Sequence, residues 1–132
     1  MPNPYATYKQ QAVSTMTPLE IIIKLYDECE RQLNRAVNFI NQKDYAGAHF
    51  ALDRSGQLIN ALRSALDMSV GEISTNLDAL YDFFYKQIVF ADTKKDIKVI
   101  SDILPQIGEL KDAFVQISKL PKTTSGSINE AI

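Results

Sequence analysis

The chain has 132 residues, 45% of them hydrophobic and 23% charged, which is the range of one globular domain with a buried core. Its formal net charge of -2 provides no basic field, which excludes nucleic acid and an anionic membrane surface as natural partners. Cys29 is the one cysteine, so a disulfide framework is excluded and a reducing, cytoplasmic location is expected.

No apolar stretch of the sequence approaches the roughly 20 residues that span a bilayer. The first residues also lack the basic run and apolar segment of a signal peptide. We therefore expect a soluble protein without membrane insertion.

The first 16 residues, MPNPYATYKQQAVSTM, form an unusual N-terminal segment. They are too apolar for a solvated tail and too irregular in spacing for a helix or a strand. We treat residues 1–16 as an N-terminal arm. Its large side chains are Tyr5, Tyr8, Val13 and Met16.

The first helix is predicted to start at Thr17-Pro18-Leu19-Glu20. A hydroxyl at the N-cap, proline at the first helical position and glutamate three residues after the cap are the elements of a capping box. Apolar residues then recur at steps of three and four as far as about Asn41. This stripe consists of Leu19, Ile22, Tyr26, Cys29, Leu33, Ala36 and Ile40.

Three further helices follow from the same spacing. Asp44 is the expected N-cap of the second helix, which runs to Met68; the third covers about Ile73 to Ala91. Asp92-Thr93-Lys94-Lys95 is predicted to be a polar connector, and Asp96 starts the fourth helix. Pro105 interrupts that helix, so we predict a kink one turn upstream.

The predicted fold class is all-α. Four helices of roughly 19 to 24 residues with connectors of about four favour antiparallel neighbours. We expect an antiparallel up-down-up-down four-helix bundle over residues 17–120. The N-terminal arm precedes it, and a small, polar, disordered tail over residues 121–132 follows it.

The sequence offers little for catalysis or metal binding. His49 is the one histidine, expected at the surface of the second helix, and Cys29 lies on the apolar stripe, where a buried inert thiol is the ordinary explanation. The Glu-x-x-His motif of di-iron bundles and a glycine-rich phosphate loop are both missing from the sequence. We expect no enzyme activity, no cofactor and no metal. The acids near the stripes should be solvated or paired: Asp27, Asp67, Asp78 and Asp82.

The first and third helices contain more large apolar side chains than a single stripe on each helix can bury. Ile21 and Leu25, four residues apart, make a second ridge on the first helix, and the third helix places aromatics on at least two faces over Leu80–Tyr85 and at Phe90. One interpretation is that each helix simply touches two neighbours and so has a wide apolar face. The other is a groove for an amphipathic partner helix, which the N-terminal arm covers when the groove is empty.

Four stretches also resemble a known family. They are Asn3-Pro4-Tyr5-x-x-Tyr8; Thr15 to Glu20; Leu25-Tyr26-Asp27; and Gly71-Glu72-Ile73-x-x-Asn76-Leu77-x-x-Leu80-Tyr81-Asp82. In this order and spacing the chain resembles the flagellin-specific export chaperones of the bacterial flagellum, the FliS-type proteins. The resemblance implies a cytoplasmic helical bundle that binds the C-terminal segment of newly made flagellin and keeps it monomeric. It further implies delivery of flagellin to the flagellar type III export apparatus, and leaves open a co-chaperone or regulatory protein as an additional partner.

The residues expected to contact the partner lie on the first and third helices. They are Ile21, Leu25, Tyr26, Tyr81 and Tyr85, with Asn76 and Asp82 as polar contacts. Tyr5, Tyr8, Val13 and Met16 are expected to cap the groove, as a lid or as a clamp. The alternative hypothesis is a structural bundle that self-associates through the same apolar surface and has no client.

Overall fold

The computed structural model describes residues 16–120 and 130–131. Four α-helices make up nearly all of this part: α1 (Pro18–Asn41), α2 (Tyr45–Ser64), α3 (Glu72–Lys94) and α4 (Ile97–Ser118). A single 3-10 turn, Met68–Val70, lies between α2 and α3. The arm positions Tyr5, Tyr8 and Val13 fall outside the described residues.

The four helices form a closed ring. α1 packs against α2 and α4, and α3 packs against the same two helices from the opposite side. Short connectors between sequential neighbours make those neighbours antiparallel. The predicted all-α, up-down four-helix bundle is therefore confirmed. None of the helices described is long and apolar enough to cross a membrane.

The three predicted N-cap residues are confirmed by their hydrogen bonds. Thr17 Oγ1 accepts a hydrogen bond from the Glu20 N–H at 3.1 Å. Asp44 Oδ1 accepts one from the Gly47 N–H, and Asp96 Oδ1 one from the Lys98 N–H, both at 2.9 Å. Each cap satisfies a backbone donor that the first helical turn leaves without an internal partner.

Two predicted helix ends are wrong. α2 ends at Ser64 and not at Met68, because Asp67 caps the following 3-10 turn through the Ser69 N–H at 3.0 Å. α3 continues to Lys94, through the stretch predicted to be a polar connector. There the Thr93 hydroxyl donates to the Val89 carbonyl at 3.0 Å, so this polar residue is accommodated inside the helix.

The chain reverses after α1 and α3 at two lysines with positive φ. Lys43 has φ 58° and Lys95 has φ 51°, which is the left-handed conformation that commonly ends a helix. α4 then runs through Pro105 without interruption from Ile97 to Ser118. The kink upstream of Pro105 stays a prediction.

The core is built largely from the apolar stripes, and it also contains Tyr81, which was expected to contact the partner. Its largest fully buried side chains are Tyr26, Leu33, Leu52, Ile59, Leu62, Tyr81, Phe84, Ile88, Ile100, Ile103, Ile107 and Phe114. Tyr45, the first residue of α2, is half exposed. Ala131, in the segment predicted to be a disordered tail, is buried, and its carbonyl accepts a hydrogen bond from the Asp67 N–H at 2.6 Å.

Candidate functional site

A groove runs along the outside of the bundle between α1 and α2. Its first part is a cavity of about 480 Å³, the Ile21–Leu58 pocket. Ile21 and Leu25 are both half-buried there, and Leu58 faces them from α2. The complete lining is Met16, Ile21, Lys24, Leu25, Asp27, Glu28, Arg31, Arg54 and Leu58.

The second part of this α1–α2 groove is a cavity of about 420 Å³, the Phe39–Phe50 pocket. Its lining is Gln32, Arg35, Phe39, Ala46, Gly47, Phe50, Ala51 and Arg54. Arg54 lines both pockets, so they are consecutive sections of one groove. Along α1 the groove extends from Ile21 to Phe39, which is about 27 Å at the rise of an α-helix.

The four seams between neighbouring helices differ in charge pairing. Across α2 and α3, Arg63 pairs with Asp78 at 2.6 Å and with Asp82 at 3.2 Å. Across α1 and α4, Lys111 pairs with Asp27 at 3.0 Å and with Glu30 at 2.8 Å. Within residues 16–120, no ion pair crosses the α1–α2 seam or the α3–α4 seam. Within these residues, therefore, no ion pair connects the two helices that form the α1–α2 groove.

Two of the expected partner contacts lie in the core. Tyr26 is 0% exposed and Tyr81 is 1% exposed, and their hydroxyl oxygens are 2.6 Å apart. Burial raises the pKa of both phenols above the usual range, so both stay neutral at physiological pH. In this conformation neither side chain reaches the surface, and both instead support α1 and α3 from within.

The other expected contacts on α3 are separate from the groove. Tyr85 is 37% exposed, and its ring lies against Gly56 of α2, on the side of α2 that faces α3. Asn76 is exposed on α3. Hydrogen bonds from Lys86 and then Arg63 lower the pKa of Asp82. The structure thus brings together Ile21, Leu25 and Met16, but not Tyr85, Asn76 or Asp82 with them.

Several residues of the groove were not singled out by the sequence analysis: Arg35, Phe39, Arg54, Leu58 and Phe50. Phe50 is the one with a signal in the sequence. It is 79% exposed, the most exposed of the large hydrophobic residues in the described part of the chain. Its position in the sequence indicated this exposure, because Phe50 is a large aromatic residue between Ala48 and Leu52 that does not share their apolar stripe. A large apolar residue at such a position has no core to enter.

Cys29 and His49 occupy the environments expected for them. Cys29 is fully buried, and burial raises the pKa of its thiol to about 12, so the nucleophilic thiolate is suppressed. His49 is exposed, and its Nδ1 lies 2.6 Å from Asp92 Oδ2 on α3. Among the described residues, no group of three or more His, Cys, Asp or Glu side chains is arranged to hold a metal ion.

Comparison with known proteins identifies the family. The family model described as "Flagellar protein FliS" matches residues 1–121, which include the arm, the whole bundle and the groove. The chain belongs to the FliS family. This confirms the resemblance that the motifs indicated.

Three curated members of the FliS family are 29% to 42% identical to this chain over the matched regions. The "Flagellar secretion chaperone FliS" of Bacillus subtilis is 29% identical over 86% of this chain and 85% of its own length. The protein of the same description from Salmonella typhimurium is 32% identical over 83% and 82%. That of Vibrio cholerae is 42% identical over a shorter match, 50% of this chain and 49% of its own.

Proposed function

We propose that this FliS-family protein is a cytoplasmic, non-enzymatic export chaperone. It binds the C-terminal helical segment of flagellin, prevents premature polymerisation and helps deliver flagellin to the flagellar type III secretion apparatus. The observation that carries the proposal is the α1–α2 groove, because it offers a partner helix two consecutive apolar pockets on a seam without ion pairs. The flagellar secretion chaperones among its relatives supply the class of client.

The dimensions of the groove suit a helix. A length of about 27 Å accommodates about five turns of partner helix, whose apolar ridge would fill both pockets. A segment that is disordered before it binds loses conformational entropy when it folds, so affinity depends on extensive apolar burial. Ile21, Leu25 and Leu58 supply that surface in the first pocket, and Phe39 and Phe50 supply it in the second.

The N-terminal arm is proposed to compete for this groove. Met16, the first described residue, lines the Ile21–Leu58 pocket, so the arm enters the bundle at the edge of the groove. Tyr5, Tyr8 and Val13 are the remaining large side chains that could occupy the apolar surface. Because the arm is tethered, its effective local concentration is high, and a weak contact suffices to cover the groove.

Binding to a labelled flagellin C-terminal segment, followed by fluorescence anisotropy, tests the proposal. Leu25→Asp places a charge in the Ile21–Leu58 pocket and should weaken binding at least about tenfold. Ser101→Asp adds the same charge to an exposed position of α4 and should leave binding unchanged. Circular dichroism of both variants establishes that the bundle is intact.

Two results would contradict the proposal. One is absence of binding by the intact protein and also by a variant that lacks residues 2–15. The other is a tight dimer in sedimentation velocity that no flagellin segment dissociates, which would favour the self-associating bundle without a client. A direct assay of function is flagellin polymerisation, which a stoichiometric amount of the protein should suppress.

A further inference from the structure

The Phe39–Phe50 pocket carries two positive charges that form no ion pair in the described part of the chain. Arg35 lines it from α1 and Arg54 lines it from α2. No carboxylate is among the lining residues, and neither guanidinium takes part in an ion pair with residues 16–120 or 130–131. Every other arginine of the sequence is paired: Arg31 with Glu28, and Arg63 with Asp78 and Asp82.

Carboxylates near this pocket in the sequence already have partners. Asp53, next to Arg54, accepts a hydrogen bond from Gln57 Nε2 at 2.9 Å. Glu28 accepts hydrogen bonds from Arg31 and Gln32, which lower its pKa to about 2. Asp44 accepts a hydrogen bond from the Gly47 N–H as the N-cap of α2. The charge of Arg54 also contributes to the low pKa of Glu28, but no carboxylate of the described residues makes an ion pair with Arg35 or Arg54.

The aromatic wall of the pocket is held in place. The Arg35 guanidinium lies 5.7 Å from the centre of the Phe39 ring, within the range of a cation–π contact. The ring packs so closely on α2 that a Cβ at Gly47 would come within 2.7 Å of it. Arg35 and Phe39 thus present a charge and an apolar surface together, in a fixed arrangement, opposite the exposed Phe50.

The segments of this chain outside the described residues cannot neutralise these charges with side chains. Residues 1–15 and 121–129 contain no aspartate and no glutamate, and each segment contains one lysine. The arm can therefore cover the apolar part of the groove, but it cannot pair with Arg35 and Arg54. A carboxylate at this position is therefore expected from a partner.

We infer that the Phe39–Phe50 pocket recognises an acidic, apolar turn of the partner helix. A carboxylate lies between Arg35 and Arg54, and an apolar side chain three or four residues away packs on Phe39 and Phe50. This inference rests on the proposed function and adds to it a determinant of selectivity. Apolar contacts in the groove tolerate sliding of the helix, whereas the paired carboxylate fixes its register and rejects a segment that carries lysine at this position.

The test uses two labelled peptides: the flagellin C-terminal segment, and the same segment with every Asp and Glu changed to Asn and Gln. Arg35→Gln combined with Arg54→Gln should weaken binding of the first peptide by about fivefold to tenfold. The affinity of the second peptide should not change. Lys98→Gln combined with Lys119→Gln removes the same two charges from exposed positions at the two ends of α4, and should affect neither peptide.

A charge swap provides the complementary measurement. Arg35→Glu combined with Arg54→Glu should bind a segment with lysines in place of its acids more tightly than the unaltered protein does. Phe50→Ala should weaken both original peptides to a similar degree, because it removes apolar surface and no charge.

The outcomes separate this inference from the proposed function. If the doubly neutralised arginine variant binds both peptides as the unaltered protein does, the charge recognition is wrong while flagellin binding stands. If the unaltered protein binds neither peptide, the proposed function fails. If instead the arginine variant loses a dimer seen by sedimentation velocity, the occupant is a second copy of this chain, and the inference is overturned.

Discussion

The hydroxyl oxygens of Tyr26 and Tyr81 lie 2.6 Å apart in the core of the bundle. They join α1 to α3 across the centre of the ring, between helices that are not neighbours in it. Phe114 of α4 packs beside them, with its ring centre 5.5 Å from that of Tyr26. One phenol donates and the other accepts, so each hydroxyl oxygen has a hydrogen-bond partner inside the core.

The tyrosine pair predicts a non-additive double-mutant cycle. Tyr26→Phe leaves the Tyr81 hydroxyl buried and unpaired, so it should lower the free energy of unfolding by about 1 to 2 kcal/mol, and Tyr81→Phe should do the same. The double variant should lose less free energy of unfolding than the two single variants together, because it leaves no unpaired hydroxyl in the core. Urea unfolding measures all four proteins. Strictly additive losses would show that the two hydroxyls do not depend on each other.

Alkaline pH should destabilise the protein. Burial raises the pKa of Tyr26 well above its ordinary value of 10.0 and that of Cys29 from 9.0 to about 12. Below about pH 8 these groups are protonated in the folded and unfolded states alike. Above that pH the unfolded chain releases protons that the folded protein retains, so the free energy of unfolding falls as the pH rises.

Urea midpoints between about pH 8 and pH 11 measure this dependence. The variant with both Tyr26→Phe and Tyr81→Phe should lose less stability over this range than the unaltered protein. Tyr45→Phe, at a half-exposed position, is the matched control and should retain the full loss. An identical slope in the core variant and the control would contradict the prediction.

Lys43→Gly should stabilise the fold. Lys43 adopts φ 58° where the chain leaves α1, and its N–H donates to the Ile40 carbonyl at 2.9 Å. A Cβ is strained in this conformation and glycine is not, so the free energy of unfolding should rise by about 0.5 to 1 kcal/mol. Gln42→Gly, at φ -87°, relieves no such strain and should destabilise. Thermal unfolding of the two variants should therefore shift in opposite directions.

Deletion of residues 2–15 tests the proposed arm. If Tyr5, Tyr8 and Val13 occupy the α1–α2 groove, the shortened protein should bind more of a dye that reports apolar surface. It should also bind the flagellin segment modestly more tightly, because a competitor has been removed. Loss of peptide binding in the deletion would assign the arm the role of a clamp.

The helices could be predicted from the sequence because their determinants are local. Thr17, Asp44 and Asp96 cap the turns that follow them, and the three-and-four spacing places core residues such as Leu33 and Ile107 on one side of each helix. The ends of α2 and α3 were predicted wrongly, because they depend on side-chain hydrogen bonds that the apolar spacing does not reveal. Asp67 built a separate 3-10 turn, and Thr93 was accommodated within α3 by bonding to its backbone.

The site could be predicted only in part. The excess apolar ridge of Ile21 and Leu25 was visible in the sequence, and the structure places both residues in the groove. Tyr26 and Tyr81 looked equally suitable as surface contacts, yet they are buried. Their burial depends on a partner more than 50 positions away in the chain, and the sequence of either helix alone does not contain that information.

By itself, the sequence determined the all-α class, the number of helices and most of the residues that face the core, because helical periodicity fixes the direction of each side chain about its own axis. Only the tertiary structure decided which faces meet. Arg35 and Arg54 share a pocket, and Tyr26 pairs with Tyr81, because the packing of whole helices sets the rotation and height of each one against the others.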